Sequence, residues 1–82
     1  MSMAGLGEKL RQAREKRGLT LEQVQKQTLM HSTVIAALED GKCDDILTPT
    51  YVRSFLKKYS SFLGLDPKEI LSEYSALSSN SH

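Results

Sequence analysis

Helix start and stop signals follow one another so closely along this chain that they leave room only for short helices. Apolar residues at helical spacing begin near Leu6, and Gly18 follows the end of that pattern. Thr20 then offers an N-cap, and Gln23 three residues later completes a capping box. These signals predict a first helix from about Leu6 to Lys16 and a second helix that starts after Thr20.

A tight turn separates the second helix from a short third one. The turn lies at residues 28–30, after which Val34, Ile35 and Leu38 form an apolar stripe and Gly41 ends the helix. Two short helices joined in this way cross steeply, and both are expected to pack against the first helix. The sequence therefore predicts a helix-turn-helix pair.

Helix start signals of a similar kind predict two further helices. Thr48 followed by Pro49 starts a fourth helix that continues to Leu63. Asp66 followed by Pro67 starts a fifth. Short loops between helices, and no alternating apolar and polar run, favour an all-α, five-helix, phage-repressor-like (XRE-type) helix-turn-helix domain.

The domain boundaries follow from where the periodic pattern begins and ends. We expect a disordered N-terminus at residues 1–5, the helix-turn-helix domain at 6–76, and a polar C-terminal tail at 77–82. In the loop before the fourth helix, Ile46 and Leu47 are expected to tuck back onto the core. The preceding residues Cys43, Asp44 and Asp45 suggest no particular role.

Size and composition argue against several classes of function. A chain of 82 residues builds one small core and leaves little room for a supported catalytic pocket, so we expect no enzyme and no cofactor. Cys43 is the single cysteine, which gives no support for disulfides or a zinc site and favours a cytoplasmic location. The formal net charge of +1 mildly disfavours nucleic acid. The basic residues of the first helix are interpreted as a solvated face.

The third helix lacks the side chains that usually read DNA. Between His31 and Asp40 there is no Lys, Arg, Asn or Gln, the residues that make bidentate contacts with bases. Ser32 and Thr33 could bond a base edge or a phosphate, with help from Lys26 and Lys42. A DNA-binding transcriptional regulator using these four residues therefore remains the alternative function, and its DNA binding is expected to be weak.

The fourth helix has a wider apolar face than packing requires. Its core stripe comprises Val52, Leu56, Tyr59 and Leu63, and a second stripe of Tyr51, Phe55 and Phe62 is displaced by roughly 100°. The second stripe is either core, if the helix is wrapped by neighbours, or a partner surface. For Phe62 the core role is favoured. Tyr51 and Phe55 are flanked by Arg53, Lys57 and Lys58, which gives rigid aromatic anchors a basic rim typical of protein interfaces.

Three segments resemble the RodZ family of bacterial rod-shape proteins. They are LGEKLRQAREKRGLTLEQV, ALEDGKCDDI and PTYVRSFLKKYSSFLGLDPKEIL, and the likeness extends from Leu6 to Tyr74. The first segment is shared with many repressor-like domains, whereas YVRSFLKKY followed by LGLDP is more specific.

The resemblance implies a cytoplasmic adaptor domain that binds the bacterial actin homologue MreB. In that family the aromatics that face the partner lie in the fourth helix, at positions matching Tyr51 and Phe55. RodZ-like proteins continue into a membrane-spanning helix, so the resemblance also implies attachment to the cytoplasmic face of the inner membrane through a segment outside this chain. Arg53, Lys57 and Lys58 are then expected partners for acidic groups on the filament.

Overall fold

The computed structural model describes residues 2–79, which form five α-helices and one short 3-10 turn. The helices are α1 (Met3–Lys16), α2 (Leu21–Thr28), α3 (Ser32–Asp40), α4 (Pro49–Leu63) and α5 (Pro67–Ser79), and the 3-10 turn at Cys43–Asp45 lies between α3 and α4. The described residues contain no strand. The prediction of an all-α, five-helix domain with a central helix-turn-helix pair is confirmed.

Both ends of the domain are more helical than the sequence pattern predicted. The first helix begins at Met3 and not near Leu6, because the Ser2 hydroxyl accepts a hydrogen bond from the amide of Gly5 at 3.1 Å and caps it. The last helix includes residues 77–79 of the predicted polar tail. The remaining predicted tail residues, 80–82, and Met1 lie outside the described residues.

The capping box at the start of α2 forms as predicted. The Gln23 amide donates to Thr20 Oγ1 at 3.1 Å, and the side-chain Oε1 of Gln23 accepts from the Thr20 amide at 2.8 Å. Two otherwise unpaired amides at the helix start are thereby satisfied. The α2–α3 turn then passes through Leu29, whose φ of 63° is in the left-handed region although its side chain is 87% exposed.

Every helix contributes buried residues to the hydrophobic core. The predicted core stripe of α4 is buried along its whole length, and it packs against residues from both sides of the helix-turn-helix pair and from α5. The buried apolar residues are Leu6, Leu10, Val24, Met30, Ile35, Leu38, Cys43, Val52, Leu56, Tyr59, Leu63, Ile70 and Tyr74. Since α4 contributes four of them, more than any other helix, its orientation is fixed by packing with its neighbours.

Helices α1 and α3 approach so closely that only glycine fits between them at one position. A Cβ added to Gly7 would lie 2.2 Å from the carbonyl oxygen of Glu39. This contact places the C-terminal end of α3 directly against the middle of α1. It also brings the Glu39 side chain to the α1 interface.

The loop before α4 differs from its prediction at one residue. Leu47 packs against the core as expected, but the Ile46 side chain is 52% exposed and does not tuck back. The 3-10 turn that precedes it turns Cys43 inward, which leaves Ile46 on the outside. Asp44 accepts a hydrogen bond from the Tyr74 hydroxyl at 2.7 Å, so this loop is tied to α5.

Candidate functional site

Tyr51 is the most exposed aromatic residue of α4. Its side chain is 60% exposed on the first turns of the helix, immediately before the fully buried Val52. Phe55, one turn further on, is half-buried and packs against the core. The two rings therefore differ, because the Tyr51 ring is exposed to solvent and the Phe55 ring packs partly against the core.

The basic residues predicted for this site divide between two flanks of α4. At about 100° per residue, Lys58 lies close to Tyr51 and Phe55, whereas Arg53 and Lys57 lie on the opposite flank. The guanidinium of Arg53 is positioned 5.9 Å from the ring centroid of Tyr74 in α5, which holds it on that side. The structure thus brings together Tyr51, Phe55 and Lys58, which we call the aromatic edge.

All charged residues of α4 are nevertheless basic. Pro49–Leu63 contains three basic residues and no Asp or Glu. Arg53, Lys57 and Lys58 are exposed, and none of them forms an ion pair with a carboxylate in the part of the chain from 2 to 79. An approaching partner meets only positive charge on this helix.

Phe62, the third aromatic of the displaced stripe, is half-buried and contacts the end of α1. The Arg17 guanidinium lies 5.8 Å from the Phe62 ring centroid and also donates to the Phe62 carbonyl oxygen at 2.6 Å. Its ring packs against the core cluster. Phe62 is therefore engaged mainly within the molecule, as its predicted core role implies.

The residues of the alternative DNA-binding hypothesis do not form one continuous surface. Ser32 is half-buried and its amide donates to the Gln25 side chain at 2.8 Å. Thr33 is exposed, and its amide donates to Nδ1 of His31 at 3.1 Å. The hydrogen bonds of the Ser32 and Thr33 amides therefore stabilise the start of α3. Lys26 is exposed at the end of α2, near Ser32.

A nearby acidic residue, and the distance between the candidate residues, make that surface still less suited to binding DNA. The shallow groove that Lys26 and Ser32 share also contains the Glu22 side chain, whose negative charge would repel a phosphate. Lys42 is exposed beyond the opposite end of α3. The four candidate residues therefore lie at both ends of the helix that would have to enter a groove of DNA.

Lys9 and Lys16 are exposed and Arg11 is partly exposed, as the predicted solvated face of α1 implies, whereas Arg14 is mostly buried. Three of these four cations also pair with carboxylates. Lys9 pairs with Glu73 of α5, and Arg11 pairs with Glu8 and Asp40. Arg14 makes two hydrogen bonds to the Glu39 carboxylate, from Nε at 2.7 Å and Nη2 at 3.0 Å. The physical reason is the close packing of α1 against α3 and α5, which brings carboxylates next to these cations.

Glu39 is a buried charged residue that the sequence pattern did not reveal. Its side chain is 2% exposed and also accepts a hydrogen bond from the Tyr59 hydroxyl, which links α1, α3 and α4. Hydrogen bonding to Glu39 raises the pKa of Arg14. Burial, and then the hydrogen bond to Glu39, raise the pKa of Tyr59 well above its usual range.

Neither a metal centre nor a membrane span is evident within residues 2–79. No group of three His, Cys, Asp or Glu side chains comes together there in a way that could hold a metal ion. Burial raises the pKa of the Cys43 thiol to about 11, which keeps it protonated at neutral pH. None of the helices in this range combines the length and apolar character needed to cross a bilayer.

Comparisons with known proteins agree with this architecture. A family model described as a helix-turn-helix domain matches residues 9–70. The chain is 41% identical over 69 residues to the cytoskeleton protein RodZ of Streptococcus pneumoniae, covering 84% of this chain and 25% of that relative. The chain belongs to the RodZ helix-turn-helix family.

Two further matches extend this assignment. A chain from a structure of bacterial actin MreB assembled in complex with the cell shape protein RodZ superimposes with a TM-score of 0.89 at 30% identity, covering 98% of both chains. An uncharacterized membrane protein of Bacillus subtilis, YmfM, is 34% identical over 56 residues, which is 68% of this chain and 19% of that protein. The chain spans a quarter or less of the length of these curated relatives.

Proposed function

We propose that this chain is a non-enzymatic adaptor domain of a RodZ-like cell-shape protein and that it binds an MreB-like bacterial actin filament through α4. The observation that carries the proposal is the exposed ring of Tyr51 on a helix whose charged residues are all basic. The similarity to a chain solved with MreB supports the choice of partner.

The chemistry of the aromatic edge suits a protein partner. A tyrosine ring offers rigid apolar area with a polar tip, and such rings commonly dominate the binding free energy at the centre of an interface. Phe55 packs beneath that edge and fixes it to the core. Lys58 beside the rings, and Arg53 and Lys57 on the other flank, would steer acidic groups towards the helix.

The proposal extends to the location of the domain in the cell. We place the domain at the cytoplasmic face of the inner membrane, held there by a segment of the full-length protein outside this chain. The membrane-protein relative in Bacillus subtilis supports this location. DNA binding is not favoured, because the candidate contact residues lie at opposite ends of α3 and most basic side chains of α1 are paired internally.

Co-sedimentation with purified MreB filaments tests the proposal. Tyr51→Ala removes an exposed ring with little effect on the core, and we expect about a 30-fold loss of affinity, since truncating an interface anchor costs about 2 kcal/mol or more. Leu29→Ala is the matched control because it also removes an exposed apolar side chain, from the α2–α3 turn. Its affinity should be unchanged.

Phe55→Ala requires a fold control, because the ring is half-buried and its loss also affects the core. Circular dichroism should therefore accompany that variant. Equal filament binding by the wild type and a folded Tyr51→Ala variant would refute the proposed site. Sequence-dependent DNA binding that persists near physiological salt would instead favour the regulator hypothesis.

A further inference from the structure

A second surface lies at the other end of α4 from Tyr51. It is a groove of about 670 Å³ between the second half of α1 and the turn that joins α4 to α5. Leu63, in the lining, is twelve residues beyond Tyr51, which corresponds to about 18 Å along the helix axis. The groove is therefore separate from the aromatic edge.

The groove has an apolar floor and a basic rim. Its floor comprises Ala13, Leu63 and Leu65, and its rim carries Lys9, Lys16 and Arg17. Ala13 and Leu65 are half-buried, so part of this apolar surface is open to solvent. Glu15 also lines the groove, so its negative charge offsets part of the positive charge of the rim.

The three rim cations differ in how they are held. Lys9 is paired with Glu73, so its charge is largely neutralised. The guanidinium of Arg17 donates a hydrogen bond to the Phe62 carbonyl oxygen. This bond holds the side chain in place but does not neutralise its positive charge. Lys16 pairs with no carboxylate between residues 2 and 79. Positive charge from Lys16 and Arg17 therefore remains available above the apolar floor.

We infer that this groove docks an acidic, amphipathic peptide segment of a protein partner, with an apolar side chain on the floor and carboxylates at Lys16 and Arg17. Ala13 and Leu65 are half-buried and Leu63 is buried, so no apolar side chain here projects far enough to insert into a bilayer, which favours a peptide over a lipid surface. The apolar floor also favours a peptide over DNA, since a phosphodiester backbone offers no apolar group to it. Charge complementarity then selects an acidic segment.

A synthetic peptide with leucines at helical spacing among glutamates is the probe, with binding to the full chain followed by fluorescence anisotropy. We expect saturable binding that Lys16→Glu weakens about tenfold, as loss of electrostatic attraction does. Lys26→Glu makes the same charge change on α2, away from the groove, and should leave the affinity nearly unchanged. Leu65→Ala should also weaken binding while circular dichroism shows an intact fold.

Several outcomes would overturn the inference. Equal weakening by Lys16→Glu and Lys26→Glu would show attraction to net charge and not to the groove. Binding to anionic lipid vesicles or to duplex DNA, with no binding of the peptide, would also contradict it. Tyr51→Ala should leave peptide affinity unchanged, so this result is independent of the filament-binding proposal.

Discussion

Removing the Glu39 carboxylate is expected to destabilise this domain more than any comparable change at its surface. Glu39 is almost fully buried and is the shared acceptor for Arg14 and for the Tyr59 hydroxyl. Glu39→Ala would leave the Arg14 guanidinium, whose side chain is 12% exposed, without its counter-charge. The Tyr59 hydroxyl, on a residue with no exposed surface, would lose its acceptor as well.

The size of the effect follows from the burial of these groups. Breaking a buried ion pair by removing one partner costs about 3–5 kcal/mol. A domain of this length is stabilised by about 4–12 kcal/mol in total, so the variant loses a large part of its stability. Because Arg14 retains some contact with water, we expect about 3 kcal/mol, at the lower end of the range.

Urea denaturation followed by circular dichroism measures this change. With a slope of about 1 kcal/mol per molar urea for a small domain, the midpoint should fall by about 3 M. Asp40→Ala is the matched control, because the neighbouring carboxylate also pairs with an arginine but its side chain is 49% exposed. Exposed pairs contribute about 0–1 kcal/mol, so its midpoint should shift by less than about 1 M.

Two results would refute this reasoning. One is an equal midpoint shift for Glu39→Ala and Asp40→Ala. The other is failure of a double replacement, Arg14→Met with Glu39→Leu, to recover more stability than Glu39→Ala. Replacing both members of a buried pair by apolar residues of similar size is often close to neutral, because no uncompensated charge remains.

Two further predictions concern Cys43 and Leu29. The pKa of Cys43 is raised by burial from 9.0 to about 11, so its contribution to stability is complete below pH 9 and is lost as the pH rises to about 11; this loss is about 2–3 kcal/mol. Unfolding free energies should therefore fall more steeply across this pH range in the wild type than in Cys43→Ala, and parallel slopes would contradict the prediction. Leu29→Gly should raise the urea midpoint by about 0.5–1 M, because glycine relieves the left-handed backbone at φ 63° and little burial is lost; an unchanged or lower midpoint would show that the turn is not strained.

The helix ends were largely predictable because the signals that define them are local. The capping box at Thr20 and Gln23 forms within four residues, and the glycine after α3 adopts the left-handed conformation that ends a helix. The early start of α1 was missed although Ser2 is a good N-cap. The apolar periodicity is weak before Leu6, so the pattern alone places the start of this helix too late.

The role of Glu39 could not be read from periodicity alone. A helical pattern assigns charged residues to solvent, yet Glu39 lies four residues after the buried Ile35 and therefore on the same face of α3. That spacing was an available signal. What the sequence could not supply was the counter-charge, because Arg14 reaches Glu39 only through the close contact of α1 with α3 at Gly7.

The distribution of paired charges explains why the net charge of this chain is a poor guide to its partners. The formal value of +1 sums all cations and anions wherever they lie, so it does not show that Lys9, Arg11 and Arg14 are each paired with a carboxylate of another helix. The cations of α4 have no such partners between residues 2 and 79, so unpaired positive charge lies on the helix that also exposes Tyr51. Because unpaired charge attracts a partner over distance more strongly than paired charge does, an acidic protein surface would be drawn to α4 more than to the helix-turn-helix pair, where the exposed Lys26 lies beside Glu22.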